Sequence, residues 1–284
     1  MAGYSQAPTG LARRPRRLSD AETEQRMLRA AVAMVRGTGL TVSLEHISFE
    51  DLIRDAGVSR SAAYRRWPHK DLFFSDLVKA LAEDIVPSIV SDELELMRRV
   101  IADHRDWLGT PELRHGLVVE LFRQLSLLDF QTLYRSPAWR TYLALHATFM
   151  SIPDGQLRDQ VRGAIARSEE RHLTRVAAAW EQLTALFGYR LRPGLGATFQ
   201  TLATVLDATM RGLVMMASSA PDIAGDRVPA RPFGAASERE WSLPGLGLAS
   251  VATGFLEPDP EITWDDDRLT AVRAALASWS PPDV

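Results

Sequence analysis

Apolar residues recur every three or four positions along most of this chain, and caps and stops punctuate the runs, so the pattern predicts a mostly helical fold. Ser19 and Glu22 form a capping box, after which Met27, Ala30, Ala31, Met34 and Val35 keep helical spacing up to Gly37 and Gly39. Ser48 starts a second helix at Phe49, with Asp51 as reciprocal partner and Ile47 and Leu52 as a hydrophobic staple. Leu52, Ile53 and Ala56 share one side of it, and Gly57 can take the positive φ that ends a helix within one residue. Ser59 caps a third helix, which runs from Arg60 until Pro68 stops it. Lys70 opens a fourth, whose Leu72, Phe73, Leu77, Leu81 and Ile85 form an apolar stripe ending at Pro87.

The helical pattern continues beyond Pro87. Residues 92–108 read as one helix, Thr110, Pro111 and Glu112 supply cap, first-turn proline and acid for the next, and 130–150 reads as another. Asp154 is placed to cap a long helix in which Leu157, Val161, Ile165, Ser168, His172, Val176, Trp180, Leu183 and Phe187 repeat until Gly188. Residues 195–217 are apolar on most faces, which calls for burial on several sides. Residues 218–248 are rich in Gly, Pro and Ala and predict a long loop, followed by helices near 248–256 and 265–279. The sequence leaves open whether that tail packs on the preceding helices, closes a pocket or stays partly disordered.

The run from Ile47 to Leu72 has the layout of a DNA-reading helix-turn-helix. Arg60, Ser61, Arg65 and Arg66 point outward from its second helix, Ala63 and Trp67 lie four apart facing inward, and Tyr64 can point either way. Arginine on such a helix can bind guanine edges in bidentate fashion in the major groove. On spacing alone, an ordinary helical hairpin with a solvated basic face fits as well.

Charge separates the two ends of the chain. The net charge is −3, yet residues 1–70 hold twelve Arg or Lys against seven Asp or Glu, while residues 91–284 hold twenty against twenty-five. The basic end suits DNA. Arg13, Arg14, Arg16 and Arg17 sit in an aperiodic segment, 1–18, that reads either as a mobile basic arm entering a minor groove or as a solubilising tail. There is no cysteine, hence no disulfide or Cys-zinc site. The nearest approach to a membrane span, residues 198–217, carries Asp207 and Arg211, so no membrane partner and a cytoplasmic location are expected.

These residues resemble the TetR family of bacterial transcription regulators over about Glu24 to Leu81. The resemblance is carried by Ala30-Ala31, by Gly39, by Leu52-Ile53-Arg54-Asp55-Ala56-Gly57-Val58-Ser59, and by Tyr64-Arg65-Arg66-Trp67 followed by Lys70-Asp71-Leu72-Phe73. The chain departs from the family pattern at Ser61 (usually Gly), Ala62 (Ser or Thr), Arg66 (a common His), Trp67 (Phe) and His69 (a better cap), which makes the reading surface more basic than usual. What the resemblance implies is an all-α protein: an arm at 1–18, a helix-turn-helix domain at 19–87 and a larger regulatory domain at 88–284 that binds an effector and dimerises. It implies that Tyr64 and Lys70 clamp phosphates while Arg60, Ser61 and Arg65 approach base edges, with Ser59, Arg66, Arg16 and Arg17 completing the surface. It implies a homodimer formed by the helices near 154–187 and 195–217, matching the two half-sites of a palindromic double-stranded DNA operator.

Read with the resemblance, the aromatic and Met residues of the larger part suggest a pocket for a partly apolar small molecule. The expected lining is Trp107, Phe122, Trp139, Tyr142, Phe149, Trp180 and Met210, with Arg123 and His146 as polar anchors. The plain alternative is that they are core. A sensor without DNA binding is the second functional reading. A third is a di-iron oxidase, because Glu112-Leu113-Arg114-His115 and Glu169-Glu170-Arg171-His172 have ligand spacing. Against it, Glu112 serves as a first-turn acid and 169–175 reads as a solvated face. No nucleophile elbow, phosphate loop or paired-carboxylate site appears in its required context, so no catalytic residue, metal or cofactor is expected.

Overall fold

Ser19 closes a reciprocal cap at the start of the fold. The Glu22 N–H donates to the Ser19 hydroxyl at 3.1 Å, and the Ser19 N–H donates to the Glu22 carboxylate at 2.8 Å. The computed structural model describes residues 18–38, 47–83 and 91–278. Helix α1 (Asp20–Thr38) follows this cap and buries Met27, Ala31 and Val35 completely. Ser48 accepts from the Asp51 N–H and starts α2 (Phe49–Asp55), and Gly57, at φ 62°, ends it within a residue. Ser59 accepts from the Ala62 N–H and starts α3 (Arg60–Arg66), which leads into α4 (Lys70–Glu83). Gly39, Ile85, Pro87, Trp279 and the basic arm with Arg16 and Arg17 lie outside the described residues.

Three further helices differ in detail from the sequence pattern. The 92–108 segment breaks into α5 (Ser91–Asp103) and a 3-10 turn (Arg105–Leu108). The 130–150 segment is two helices: α6 (Pro111–Arg135) carries Phe130, and α7 (Pro137–Ser151) begins afresh because Ser136 caps it and Pro137 takes its first turn. Helix α8 (Gln156–Leu186) starts after Gly155 without a side-chain cap, and Asp154 instead sits 3.5 Å from Arg158 one turn on. Gly188, at φ 70°, turns the chain out of α8, and Thr198 with Thr201 builds a capping box for α9 (Phe199–Ala217).

The largest departure lies in 218–248, which is not a long loop. It holds α10 (Asp222–Gly225), a hairpin and the start of α11 (Leu243–Phe255), whose Ser242 cap and Pro244 repeat the chain's usual helix opening. Strand β1 (Tyr189–Leu191) pairs antiparallel with β4 (Leu256–Pro258), and in the hairpin β2 (Arg227–Ala230) pairs antiparallel with β3 (Arg239–Ser242). The β2–β3 pairing is local, from Arg227 with Ser242 to Ala230 with Arg239, whereas β1 and β4 join residues remote in sequence. The chain ends its described part in α12 (Asp266–Ser278). Among the described residues the fold is therefore mostly helical with four short strands.

One apolar cluster runs through both ends of the molecule. It contains Met27, Phe49, Trp67 and Phe73 at one end and Trp139, Leu145, Leu206 and Trp241 at the other, because α4 packs on α8 and α1 on α7. Leu72 departs from the expected stripe and is half exposed, while Phe73, Leu77 and Leu81 are buried. A second, smaller cluster joins α5, the first half of α6, Phe187 and Val272 of α12. The tail packs on the preceding helices: α11 lies on α6 and α9, and Arg268 donates to the Ala185 and Leu186 carbonyls left free at the end of α8. Among the described residues no helix is long and apolar enough to cross a membrane, and Asp207 and Arg211 of α9 pair with each other at 2.6 Å.

Candidate nucleic-acid interface and ligand cavity

Helix α3 is held from beneath by aromatic packing. Trp67, fully buried, meets the edges of Phe49 and Phe73 at ring centroid distances of 6.4 and 5.1 Å, and its indole N–H donates to Asp76 at 2.9 Å. Ala62 and Ala63 fill the remaining inner face. Ser59, Arg60, Ser61, Arg65 and, at the start of α4, Lys70 are exposed, so five of the seven described candidate DNA contacts lie in the open. Tyr64 and Arg66 are half-buried.

Carboxylates from three other helices grip this surface. Glu50 of α2 accepts from Arg60 at 2.9 Å and from the Tyr64 hydroxyl at 2.7 Å. Asp20 of α1 accepts two donors from Arg65, at 3.0 and 2.5 Å. Arg66 reaches Glu24 of α1 at 2.9 Å and Asp76 of α4 at 3.2 Å, and lies over the Trp67 ring at 5.0 Å. The hydrogen bond from the Tyr64 hydroxyl, with help from Arg60 and against desolvation, holds the Glu50 carboxyl below its ordinary range. Burial works to raise Asp76, and hydrogen bonds from Lys79 and Trp67 outweigh it, leaving that carboxyl low as well. No sequence signal marks this collar, because Asp20 and Arg65 are 45 positions apart.

The nine residues expected to line an effector pocket fall into separate places. Trp107 packs against His104 near the second cluster. Phe122 stacks on Trp180 at 5.2 Å. Arg123 is spent on Glu120, through bonds of 2.8 and 2.6 Å, and on the Glu240 carbonyl. Phe149 lies under Arg158, and Met210 is core. Trp139, Tyr142 and His146 do come together: Tyr142 stacks on Trp139 at 4.7 Å and tilts against His146 at 4.1 Å.

That trio adjoins a cluster of charges between α7, α8 and α9. Arg211 pairs with Glu169 at 2.9 Å and with Asp207 at 2.6 Å, and bonds the Tyr142 hydroxyl, which donates to Glu169 at 2.7 Å. Burial opposes ionisation of Glu169, but Arg211 and Tyr142 outweigh it and hold the carboxyl low. Burial, reinforced by Glu169, pushes the Tyr142 hydroxyl up. The ion pairs join α7, α8 and α9 into an inter-helix lock, within which the buried Arg211 Nε and Trp139 Nε1 have no hydrogen-bond partner.

A cavity of about 260 Å³ lies elsewhere, between α6, α11 and the β1–β4 pair. Val118, Val119, Phe122, Ala252 and Leu256 form its apolar wall, and Phe122 alone of the nine expected residues takes part. On its polar side His115 is fixed at both nitrogens: Nδ1 lies 2.6 Å from the Tyr189 hydroxyl and Nε2 2.6 Å from the Phe233 carbonyl. Burial pushes the Tyr189 hydroxyl up to about 12, against the charge of Arg114. Phe233 holds φ 56°, and a Cβ on Gly234 would meet the His115 ring at 2.8 Å, so the hairpin tip is pressed onto the cavity wall.

The two Glu-x-x-His units do not converge. Both nitrogens of His115 are engaged, Glu169 is paired with Arg211, and His172 faces Asp207 at 3.4 Å. Among the described residues no group of three or more His, Asp or Glu is placed to hold a metal ion. No protein-family model matches this chain, and no curated protein or solved structure matches it either.

Proposed function

We propose that this protein is a homodimeric, ligand-responsive transcription regulator of the TetR kind that reads DNA with α3 and is released from its operator by a small molecule. The observation that carries the reading is the exposed face of α3. Two capped helices meet at a glycine with φ 62°, and the second buries Trp67 while presenting Arg60, Ser61 and Arg65 outward. Small and basic residues on a short helix anchored by an aromatic core suit the major groove. Lys70 at the first turn of α4 is exposed, and its charge acts on the same Glu50 that Arg60 pairs with, which suits a phosphate contact beside α3.

Dimerisation through α8 and α9 draws support from α9, whose exposed Thr201, Thr204, Ala208 and Met215 share one face opposite the buried Leu202, Leu206, Met210 and Val214. A palindromic site requires two such heads. An effector that favours the non-binding spacing of the heads by about 1 to 3 kcal/mol lowers operator affinity roughly 5- to 150-fold.

Titration of labelled duplex against salt tests the proposal. Affinity falls with salt at a log–log slope of about −0.9 per phosphate neutralised, and Lys70→Ala flattens that slope while weakening all sequences alike. Arg65→Ala instead relaxes preference at particular bases. An unchanged specificity profile in that variant refutes the assignment of α3 as the reading helix. The carboxylate collar favours the second reading, a dimeric sensor without DNA binding, since Arg60, Arg65 and Arg66 already have partners. Absence of duplex binding at low salt decides for it.

A further inference from the structure

We infer that the cavity between α6, α11 and the β1–β4 pair is a binding site for a small aryl carboxylate. Its role as the effector site rests on the regulator reading above, whereas binding itself does not.

Size sets the first limit. A cavity of 150 Å³ lined by apolar side chains accommodates benzene, so about 260 Å³ takes a molecule of roughly ten to twelve non-hydrogen atoms. Shape and chemistry of the wall set the second. Phe122, Phe233, Tyr189 and His115 place four rings around the space, and Val118, Val119 and Leu256 complete an apolar body, which favours an aromatic group.

Charge sets the third. The lining contains Arg192 and no Asp or Glu. Arg192 is exposed at the mouth of the cavity, and its side chain donates one bond, at 3.2 Å, to the Thr253 carbonyl. Arg192 also pairs with Glu257 Oε2 at 3.5 Å, while Arg190 takes the other oxygen, Oε1, at 3.0 Å, and these contacts use only part of the five N–H donors of the Arg192 guanidinium. Arg192 therefore keeps N–H donors for a ligand anion. The His115 ring cannot compete for that role, because one nitrogen lies on a backbone carbonyl and the other on Tyr189. With the Nε2 proton on the Phe233 carbonyl, the Tyr189 O–H donates to Nδ1, and the ring is held as part of the wall.

The strained hairpin tip is the independent sign of a built site. Phe233 is the one non-glycine residue at positive φ among those described, and its ring and carbonyl both serve the cavity. Such strain persists where surrounding packing over-determines it, and it concentrates at ligand sites. The tip is held by Gly234 against His115 and by Trp241, whose ring meets that of Phe233 at 5.8 Å.

Calorimetric titration of the full chain with 3-phenylpropionate, and with 3-phenylpropanamide as the neutral control, tests the site. The carboxylate binds saturably to the wild type. Arg192→Gln weakens it about tenfold, as expected for loss of a charge-assisted bond at an exposed group, and leaves the amide unchanged. Ala252→Leu fills the space and abolishes both heats. Arg192 lies at the surface, so its variant remains informative if Ala252→Leu does not fold. No saturable heat with the wild type, or equal carboxylate affinity in Arg192→Gln, overturns the inference. The titration involves no DNA: lost heats with intact duplex binding refute the cavity alone, and normal heats without duplex binding refute the regulator reading alone.

Discussion

Removing the carboxylate that grips Arg60 should strengthen DNA binding. Glu50 accepts from Arg60 at 2.9 Å and from Tyr64 at 2.7 Å, and its charge also acts on Lys70, so one acid offsets three of the proposed contacts. Glu50→Gln removes that charge while retaining an acceptor for Tyr64. If the freed Arg60 neutralises one further phosphate, the log–log salt slope steepens by about 0.9. Between 150 and 50 mM salt, a factor of three, that adds about 2.7-fold to the gain in affinity on dilution. Asp20→Asn should act in the same direction through Arg65, and the two variants should be nearly additive because their partners differ. Fluorescence anisotropy with a labelled duplex over this salt range reads both slope and affinity. An unchanged or shallower slope in Glu50→Gln, or weaker binding, would refute the reasoning and make the collar a support that orients α3.

Three other perturbations test the structural account. Trp67→Ala should cost about 3 to 5 kcal/mol, measured by denaturant unfolding, because it empties a fully buried site between Phe49 and Phe73 and removes one of the donors to Asp76. Gly234→Ala should lower the melting temperature more than Gly57→Ala: both positions hold positive φ, but a Cβ at 234 also strikes His115 at 2.8 Å while one at 57 meets nothing within 4 Å. Acid should destabilise the fold below the ordinary Glu value of 4.5, since Glu169 and Glu120 are held low when folded; their stabilisation is complete above the unfolded value and is lost as pH falls through the folded ones. Glu169→Gln should make the melting temperature less dependent on pH there, and an unchanged profile would place the acid sensitivity elsewhere.

Local chemistry made much of the fold legible. Ser19 with Glu22, Ser48, Ser59 and Thr110 cap the helices that their positions predict, and Gly57 and Gly188 take the positive φ needed to leave α2 and α8. Trp67, the residue that caps the C-terminus of α3, is buried as its four-residue spacing from Ala63 predicts. The boundary at Ser136 and Pro137 repeats the Thr110 and Pro111 signature, although apolar spacing alone places the helix start earlier, at Phe130. What sequence could not supply was pairing at a distance. The collar joins residues 42 and 45 positions apart, β1 meets β4 across Tyr189 and Pro258, and His115 meets Phe233 across 118 positions. The residues expected to line a pocket lie apart for a mixture of reasons: Arg123 bonds Glu120 and Trp139 stacks on Tyr142 within a single helix turn, while Phe122 stacks on the remote Trp180.

The most direct test of DNA reading is selection of bound duplexes from a random pool at low salt by the full chain. The account predicts enrichment of a palindrome whose half-sites lie about one helical turn, or a multiple of it, apart, with information lost at defined base pairs in Arg65→Ala. Recovery of no duplex above background at about 50 mM salt would contradict it.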